Sequence, residues 1–274
     1  MLKGENEAFP PLTIPAFVAF ESYKNRNLER GYYMLMQQKK MKKANIVLFD
    51  MDHTLLLGDA VNLWSHFLNE KGIMTADDWD KRNKFDEDYR AHCLDVDASF
   101  EFELSLLKRV PIVKRQRWRD EFFEKMIRSK ISKIGLNLIQ EYKARCNVIV
   151  ILITATHVFL ASPVAQYVGV HYMIATVEEM ENEDYTGKVL GMPNIGEGKL
   201  KNFQMWLEKN NIEPGYTVLY SDSINDLPLL SQVDKPIVVD PDPLLKEIAL
   251  QKNWEIISFK TEGKVKQKIT AVNL

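Results

Sequence analysis

The chain has 274 residues, 46% of them apolar and 27% charged, and a net charge of −2 at pH 7. That length accommodates one large domain or a domain with a smaller one inserted, and the apolar content supports a sizeable core. The near-neutral balance, with no cluster of Lys and Arg interleaved with aromatics, excludes broad nucleic-acid binding. No segment has the apolar length of a membrane span or the pattern of a secretory signal.

Residues 1–40, interrupted by Pro10, Pro11 and Pro15, read as a leader or extension, with Met41 as a natural start. The apolar run Ile46-Val47-Leu48-Phe49 predicts a strand covered on both faces, because such strands read as continuous apolar stretches. Residues 60–135 then become charged, aromatic-rich and helical, with candidate helices at Val61 to Asn69, Asp78 to Arg90, Ser99 to Arg109 and Arg115 to Ile131. Trp64, Trp79 and Trp118 fall on apolar helix faces, where packing is the ordinary role, and Trp64 is also placed to line an entrance. Cys93 and Cys146 lack metal-ligand spacing and read as free thiols in a reducing, cytoplasmic compartment.

Further strands are predicted at Val148 to Ile153, Tyr172 to Ala175, Thr217 to Tyr220, Pro236 to Val239 and Glu255 to Phe259, with helices between most of them. Ser162-Pro163 predicts an N-cap followed by proline at the first helical position, Gly169 a helix stop, and Asp242-Pro243 a second N-cap. This alternation is that of an α/β protein: a parallel sheet with helices on both faces. The expected organisation is a core of residues 41–59 and 136–274 with a helical cap, 60–135, inserted between its first two strands.

Asp50 and Asp52 follow the first strand directly, and residues two apart in extended backbone project to the same side. In open parallel sheets that position faces the ligand crevice. An insert beginning just beyond it is expected to act as a lid that excludes water and reads the substrate. Thr154-Ala155-Thr156 ends the second predicted strand, where a hydroxyl and backbone N–H groups can hold an anion. Gly196-Glu197-Gly198 sets Lys199 at a helix N-terminus, favoured over Lys188 and Lys201 by the preceding glycines. Ser221-Asp222-Ser223-Ile224-Asn225-Asp226 adds two acids to the same rim, with Asn225 as a supporting residue. So many acids at one crevice repel one another unless a cation joins them, and oxygen-only ligands favour Mg²⁺.

These parts meet the needs of phosphoryl transfer through a covalent aspartyl phosphate. Asp50 would be the nucleophile and Asp52 the acid and then the base. Mg²⁺ would lie between Asp50 and Asp222, and Thr154 and Lys199 would hold the phosphate. His53 and His157 are expected to be structural. In these motifs the chain resembles the haloacid dehalogenase superfamily, specifically the phosphoserine-phosphatase-like subfamily IB of hydrolases, over about residues 44–260. Asp50-Met51-Asp52-His53-Thr54, Thr154, Lys199, and Asp222 with Asp226 match its four motifs in order. The resemblance implies a Rossmann-like three-layer core, a helical cap, Mg²⁺ and a metal contact from the main-chain carbonyl of Asp52. Ungapped comparison with phosphoserine phosphatases places substrate-binding residues at Asp59, Phe102 and Arg109.

Two departures count against phosphoserine itself: Thr154-Ala155-Thr156 stands where those enzymes have serine and glycines, and Ser221 and Ser223 replace glycines beside the metal-binding acid. The expected substrate is a small phosphate monoester, in a branch whose range includes phosphoserine-like metabolites, histidinol phosphate and phospholipid head groups. A phosphotransferase working through the same aspartyl phosphate is one alternative. The other is a non-hydrolytic phospho-acceptor, against which the insert and Asp52 both argue.

Overall fold

The computed structural model describes residues 42–91, 93–260 and 270–274, so the leader expected over residues 1–40 lies outside them. In chain order the elements are β1 (Lys42–Phe49), α1 (Ala60–Glu70), α2 (Ala76–Arg90), α3 (Val96–Arg109), α4 (Ile112–Phe122), α5 (Lys133–Lys143), β2 (Val148–His157) and α6 (Val158–Val168). Then come β3 (Tyr172–Thr176), β4 (Glu178–Glu181), β5 (Asp184–Val189), α7 (Glu197–Lys209), β6 (Ile212–Ser221), α8 (Leu227–Leu230), β7 (Lys235–Val239), α9 (Pro243–Gln251) and β8 (Glu255–Ile257). The main sheet has the order β3-β2-β1-β6-β7-β8, and every neighbouring pair is parallel. No helix among the described residues is long and apolar enough to cross a membrane.

The continuous apolar strands have a direct structural meaning. Val47 and Phe49 of β1, Val148, Val150 and Leu152 of β2, and Val218 and Tyr220 of β6 point into one hydrophobic layer, with Leu138 and Tyr142 of α5 and Val164 of α6. Ile46 and Leu48, Ile149 to Ile153 at odd positions, and Leu219 point into the opposite layer, with Phe203 and Trp206 of α7 and Leu245 of α9. Alternate residues thus serve opposite faces that are both covered, giving the three-layer Rossmann-like arrangement. From β1 the chain winds toward β3 and then returns to β6 on β1's other side. The topological switch point therefore lies between β1 and β6, where such sheets open a crevice.

The helical excursion leaves and re-enters at one place. Leu56 bridges Ile131, Leu57 N–H donates to Lys130 O at 2.9 Å, and Ser132 N–H donates to Leu55 O at 2.8 Å. Helices α1 to α3 occupy the first three expected stretches, but regular α-helix in the fourth ends at Phe122, followed by a wider turn over Phe123–Ile127 and a tighter one over Arg128–Lys130. Trp64 packs on Phe67, Phe122 and Phe159 at 2% exposure, so it lines no entrance.

Two local expectations are corrected. Helix α6 begins at Val158 with Pro163 inside it, because Glu178, reaching from β4, accepts the Phe159 N–H at 2.6 Å and caps the helix a turn before Ser162. The antiparallel hairpin β4–β5 was not foreseen. Its turn residues Asn182 and Glu183 both take positive φ, 51° and 66°, without the glycine that advertises such turns. This hairpin grips the helical excursion: β5 packs on α3, and Asp184 pairs with Arg115 at 2.5 Å. Gly169 ends α6 with φ of 71°, and Asp242 caps α9 by accepting the Leu245 N–H at 2.8 Å, both as expected.

Candidate active site

The carboxyl ends of β1, β2 and β6 converge on one cavity of about 160 Å³. Asp50 is anchored to the sheet by its N–H, which donates to Tyr220 O at 2.9 Å. Met51 turns fully into the core, which leaves Asp50 and Asp52 both facing the cavity. Asp52 Oδ1 accepts the Ala60 N–H at 2.6 Å, and Oδ2 accepts from the Thr156 hydroxyl at 2.6 Å. This acid therefore joins the end of β2 to the first residue of α1. Thr154 is buried on the cavity wall and accepts the Thr156 N–H at 3.1 Å.

Lys199, on the first turn of α7, is 2% exposed and crosses to the acids. Its Nζ lies 2.8 Å from Asp50 Oδ1 and 2.7 Å from the Asp226 carboxylate. Lys188 and Lys201 are exposed. Ser221 Oγ donates to Asp226 at 2.6 Å, so this acid holds the lysine from behind and is absent from the cavity wall. Asp222 and Asn225 line the cavity, and Thr54 Oγ1 donates to Asp222 Oδ1 at 3.1 Å. His157 is buried against Glu178 at 2.8 Å, whereas His53, expected to face away, is exposed at the cavity edge.

Burial and like charge govern the electrostatics. Burial pushes the Asp50 carboxyl up to about 6; Lys199 opposes the rise and Asp226 adds to it. Burial also holds Asp222 well above the carboxylate range, reinforced by Asp50 and Asp226. Asp52 is raised well above it by burial and by Asp59, against the hydrogen bonds from Thr156 and Ala60. For Lys199, burial works against the charge, but Asp226 and Asp50 outweigh it and hold the ammonium above the usual lysine range.

Asp50 and Asp222 thus form an oxygen-only pair whose repulsion no side chain fully offsets. Among the described residues no group of three or more His, Cys, Asp or Glu converges as a metal cluster, and the Asp52 carboxylate is occupied by Ala60 and Thr156. Mg²⁺ commonly takes one or two carboxylates and completes its shell with water and substrate phosphate, so the residues present fit it.

The two cap residues carried over by ungapped comparison lie elsewhere. Arg109 forms a two-pronged pair with Asp78 at 2.6 and 3.0 Å, and Phe102 packs against Phe85 in the core of the excursion. The side chains of the excursion that do line the cavity include Arg82, Phe85, Asp86, Tyr89, Phe100 and Glu103. Asp59 lines it too, while also capping α1 by accepting the Asn62 N–H at 2.6 Å. The Tyr89 hydroxyl reaches across to Ser223 Oγ at 3.2 Å, linking α2 to the loop after β6. Thr156 had a readable signal, sharing a face of the β2 end with Thr154, whereas Ser221 is only the chain neighbour of Asp222. Arg82 and Glu103 had none.

The helix start that aims Lys199 depends on Gly198. A Cβ there would meet Pro193 O at 2.1 Å, a backbone atom that cannot swing away. Gly198→Ala is expected to destabilise the protein by about 1–3 kcal/mol or more and to lower turnover by displacing α7, as thermal melts and kinetics would read. An unchanged melting temperature would mean that the close approach is relieved at no cost.

Residues 47–231 match the haloacid dehalogenase-like hydrolase family. A histidinol-phosphatase of Neisseria meningitidis serogroup C is 34% identical over 221 residues, covering 79% of this chain and 99% of that protein. A phosphoserine phosphatase of Mycobacterium tuberculosis is 26% identical over 220 residues, covering 79% of this chain and 71% of that protein. Among solved structures, a protein of unknown function from Bordetella pertussis Tohama I shares the fold with a TM-score of 0.73 and 32% identity, over 80% of this chain and 100% of that one. A phosphoserine phosphatase solved as a phospho-aspartyl intermediate analogue has a TM-score of 0.58 at 21% identity, over 80% and 95% of the two chains. The family match spans the acids after β1, the lysine of α7 and the acids after β6, and with a relative 34% identical along 99% of its length it makes this chain a member of the haloacid dehalogenase-like hydrolases, among their phosphatases.

Proposed function

We propose that this hydrolase is a Mg²⁺-dependent phosphatase that cleaves a small phosphate monoester in the cytoplasm through an aspartyl phosphate on Asp50. The observation that carries the reading is the buried Asp50–Lys199–Asp226 chain, which presents one carboxylate oxygen pair to a cavity whose wall also holds Asp52, Thr154 and Asp222. Residues 41–59 and 136–274 act in this reading as the catalytic core and residues 60–135 as its cap, supported by the cavity residues that α2 and α3 contribute. The exposed free cysteines Cys93 and Cys146 suit a reducing compartment.

Asp50 attacks phosphorus, with Lys199 fixing its side chain and stabilising charge that develops on the transferring group. Asp52, its carboxyl kept protonated by burial and by Asp59, gives its proton to the leaving alkoxide. The donors Ala60 N–H and Thr156 hydroxyl then stabilise the carboxylate left behind, which takes a proton from the water that opens the intermediate. Thr154 offers its hydroxyl to a phosphate oxygen. Mg²⁺ would be held by Asp50, Asp222 and the main-chain carbonyl of Asp52, and would supply the positive charge that lets an anionic nucleophile approach an anionic ester.

The test is phosphate release from a panel of small monoesters with Mg²⁺ or with EDTA. Release that needs the metal is the expected result. Equal release in EDTA, or none from any ester, would overturn the reading.

A further inference from the structure

Strand β2 leaves its regular pairing just where it enters the site. Its ladder with β1 ends at Leu152, opposite Phe49. On the other side Thr154 stands opposite Ala175, but the next paired residue is His157, opposite Thr176, so Ala155 and Thr156 fall outside the β3 register. Such a bulge re-aims side chains beside a site and leaves main-chain groups in need of other partners. Two fully buried side chains supply them. Asn194 Nδ2 donates to Thr154 O at 2.8 Å and to Ile174 O at 3.1 Å. Thr176 Oγ1 donates to Ala155 O at 2.6 Å and accepts the Asn194 N–H at 3.0 Å. On its far side Asn194 Oδ1 accepts from Asn202 Nδ2 at 3.2 Å, and Asn202 lies on α7 three residues after Lys199, on the same buried face. Pro193, the chain neighbour of Asn194, is the residue whose carbonyl lies against Gly198 at the start of that helix.

We infer that Asn194 is a positioning residue for phosphoryl transfer: with Thr176 it sets the distance between the bulged end of β2, which carries Thr154 and Thr156, and the helix start that carries Lys199. The inference rests on the phosphatase reading, in which these two elements hold different parts of one reaction. Thr154 holds the phosphate and Thr156 the Asp52 carboxyl, whereas Lys199 holds Asp50. Asn194 is absent from the cavity wall, so it acts only through the groups it ties together. Asparagine suits the place because both of its amide protons go to carbonyls while its own carbonyl receives one. Leucine has no such groups, and aspartate brings at most one proton to two acceptors. A buried network whose members are all satisfied is stiff, and a missing donor leaves a buried acceptor unpaired. The stiffness matters because a displacement of about 1 Å between reacting groups costs about 100-fold in rate.

The experiment takes the best-cleaved ester of the monoester panel, with Mg²⁺, and measures kcat, KM and the inhibition constant of orthovanadate, which imitates the phosphoryl group in transfer. Thr176→Val, Thr176→Ser and Asn194→Asp are compared with the native chain, each at a temperature where circular dichroism shows it folded. In Thr176→Val and Asn194→Asp, kcat is expected to fall by about 10- to 100-fold and the vanadate constant to rise by a similar factor, with KM nearly unmoved. Thr176→Ser keeps the hydroxyl and should stay close to native in all three. Thr176→Val preserves the side-chain shape, so it carries the test even where Asn194→Asp does not fold. Native kcat and vanadate affinity in a folded Thr176→Val whose melting temperature has dropped would mean that the network only supports the fold, and would overturn this inference alone. Equal losses in Thr176→Val and Thr176→Ser would do the same, since the hydroxyl would then not be the cause. No turnover of any ester by the native chain would overturn the phosphatase reading and this inference with it.

Discussion

Asp50→Asn is expected to lower kcat at saturating substrate by about 10⁴-fold or more while leaving the protein folded, and without metal more stable than the native chain. The loss follows from removing the atom that attacks phosphorus. The stability gain follows from linkage. A carboxyl whose folded pKa is raised makes the native state hold a proton that the unfolded chain has already released, so stability falls as pH rises from the ordinary value toward the folded one. For Asp50 that window runs from 3.8 to about 6. Above it the ionised form costs on the order of 3 kcal/mol relative to the neutral one. Asparagine resembles the neutral form and removes that cost at pH 8 while still offering Lys199 an acceptor. Mg²⁺ should then raise the melting temperature of the native chain and leave that of the variant nearly unmoved, because one of the two carboxylates is gone. Thermal melts at pH 8 with and without Mg²⁺, beside turnover, provide the check. A variant retaining a tenth of the native rate would remove Asp50 from the nucleophile's role.

The core of this site was legible because its chemistry is written in short stretches at strand ends. A strand buried on both faces has little freedom in where it points, so the apolar run before Asp50 fixed the side of the sheet on which its acids emerge. Alternation then separated Met51 from Asp50 and Asp52. The same holds for Thr154 and Asp222, each next to an unmistakable strand, and for Lys199, whose helix start is marked by Gly196 and Gly198.

The excursion gave no comparable purchase. Helix α2 reads ADDWDKRNKFDEDYR, so heavily charged that no apolar stripe says which side faces the protein, and Arg82 is one basic residue among four in it. Only the packing of α2 against α3 selects it. Phe102 and Arg109 failed for a related reason. Ungapped counting assumes that a helix keeps its rotation between proteins, and here Asp78, which also closes a capping box with Thr75, captures Arg109 on the outer side. Residues held by pairing across elements, such as Glu178 capping α6, leave no trace within any one window of sequence.

Lys199→Met should separate the structural from the catalytic task of the lysine. Its ammonium is buried between Asp50 and Asp226, and methionine fills similar space without the charge, leaving two carboxyls facing each other out of water. Removing one partner of a buried ionic group typically costs about 3–5 kcal/mol. For a chain of this size that corresponds to a melting temperature lower by roughly 10 °C. The pH dependence fixes the cause. Lys199 has its own pKa raised, so its contribution is fully present below the usual lysine value and fades only at more alkaline pH. It therefore does not titrate in the native chain between pH 4 and 9. In the variant, Asp50 loses the neighbour that opposed its rise, and its folded pKa climbs further. The gap in stability between native and variant should be small near pH 4, where the Asp50 carboxyl holds its proton, and widen steadily above it. Adding Asp226→Asn should recover much of the lost stability at pH 8, because a single buried carboxyl remains, yet turnover should stay depressed because no cation then holds the nucleophile. Melting curves from pH 4 to 9 on the three proteins decide it: a gap that does not change with pH would mean the lysine acts through packing, and recovered turnover in the double variant would mean Asp226, once unpaired, had been the inhibiting group.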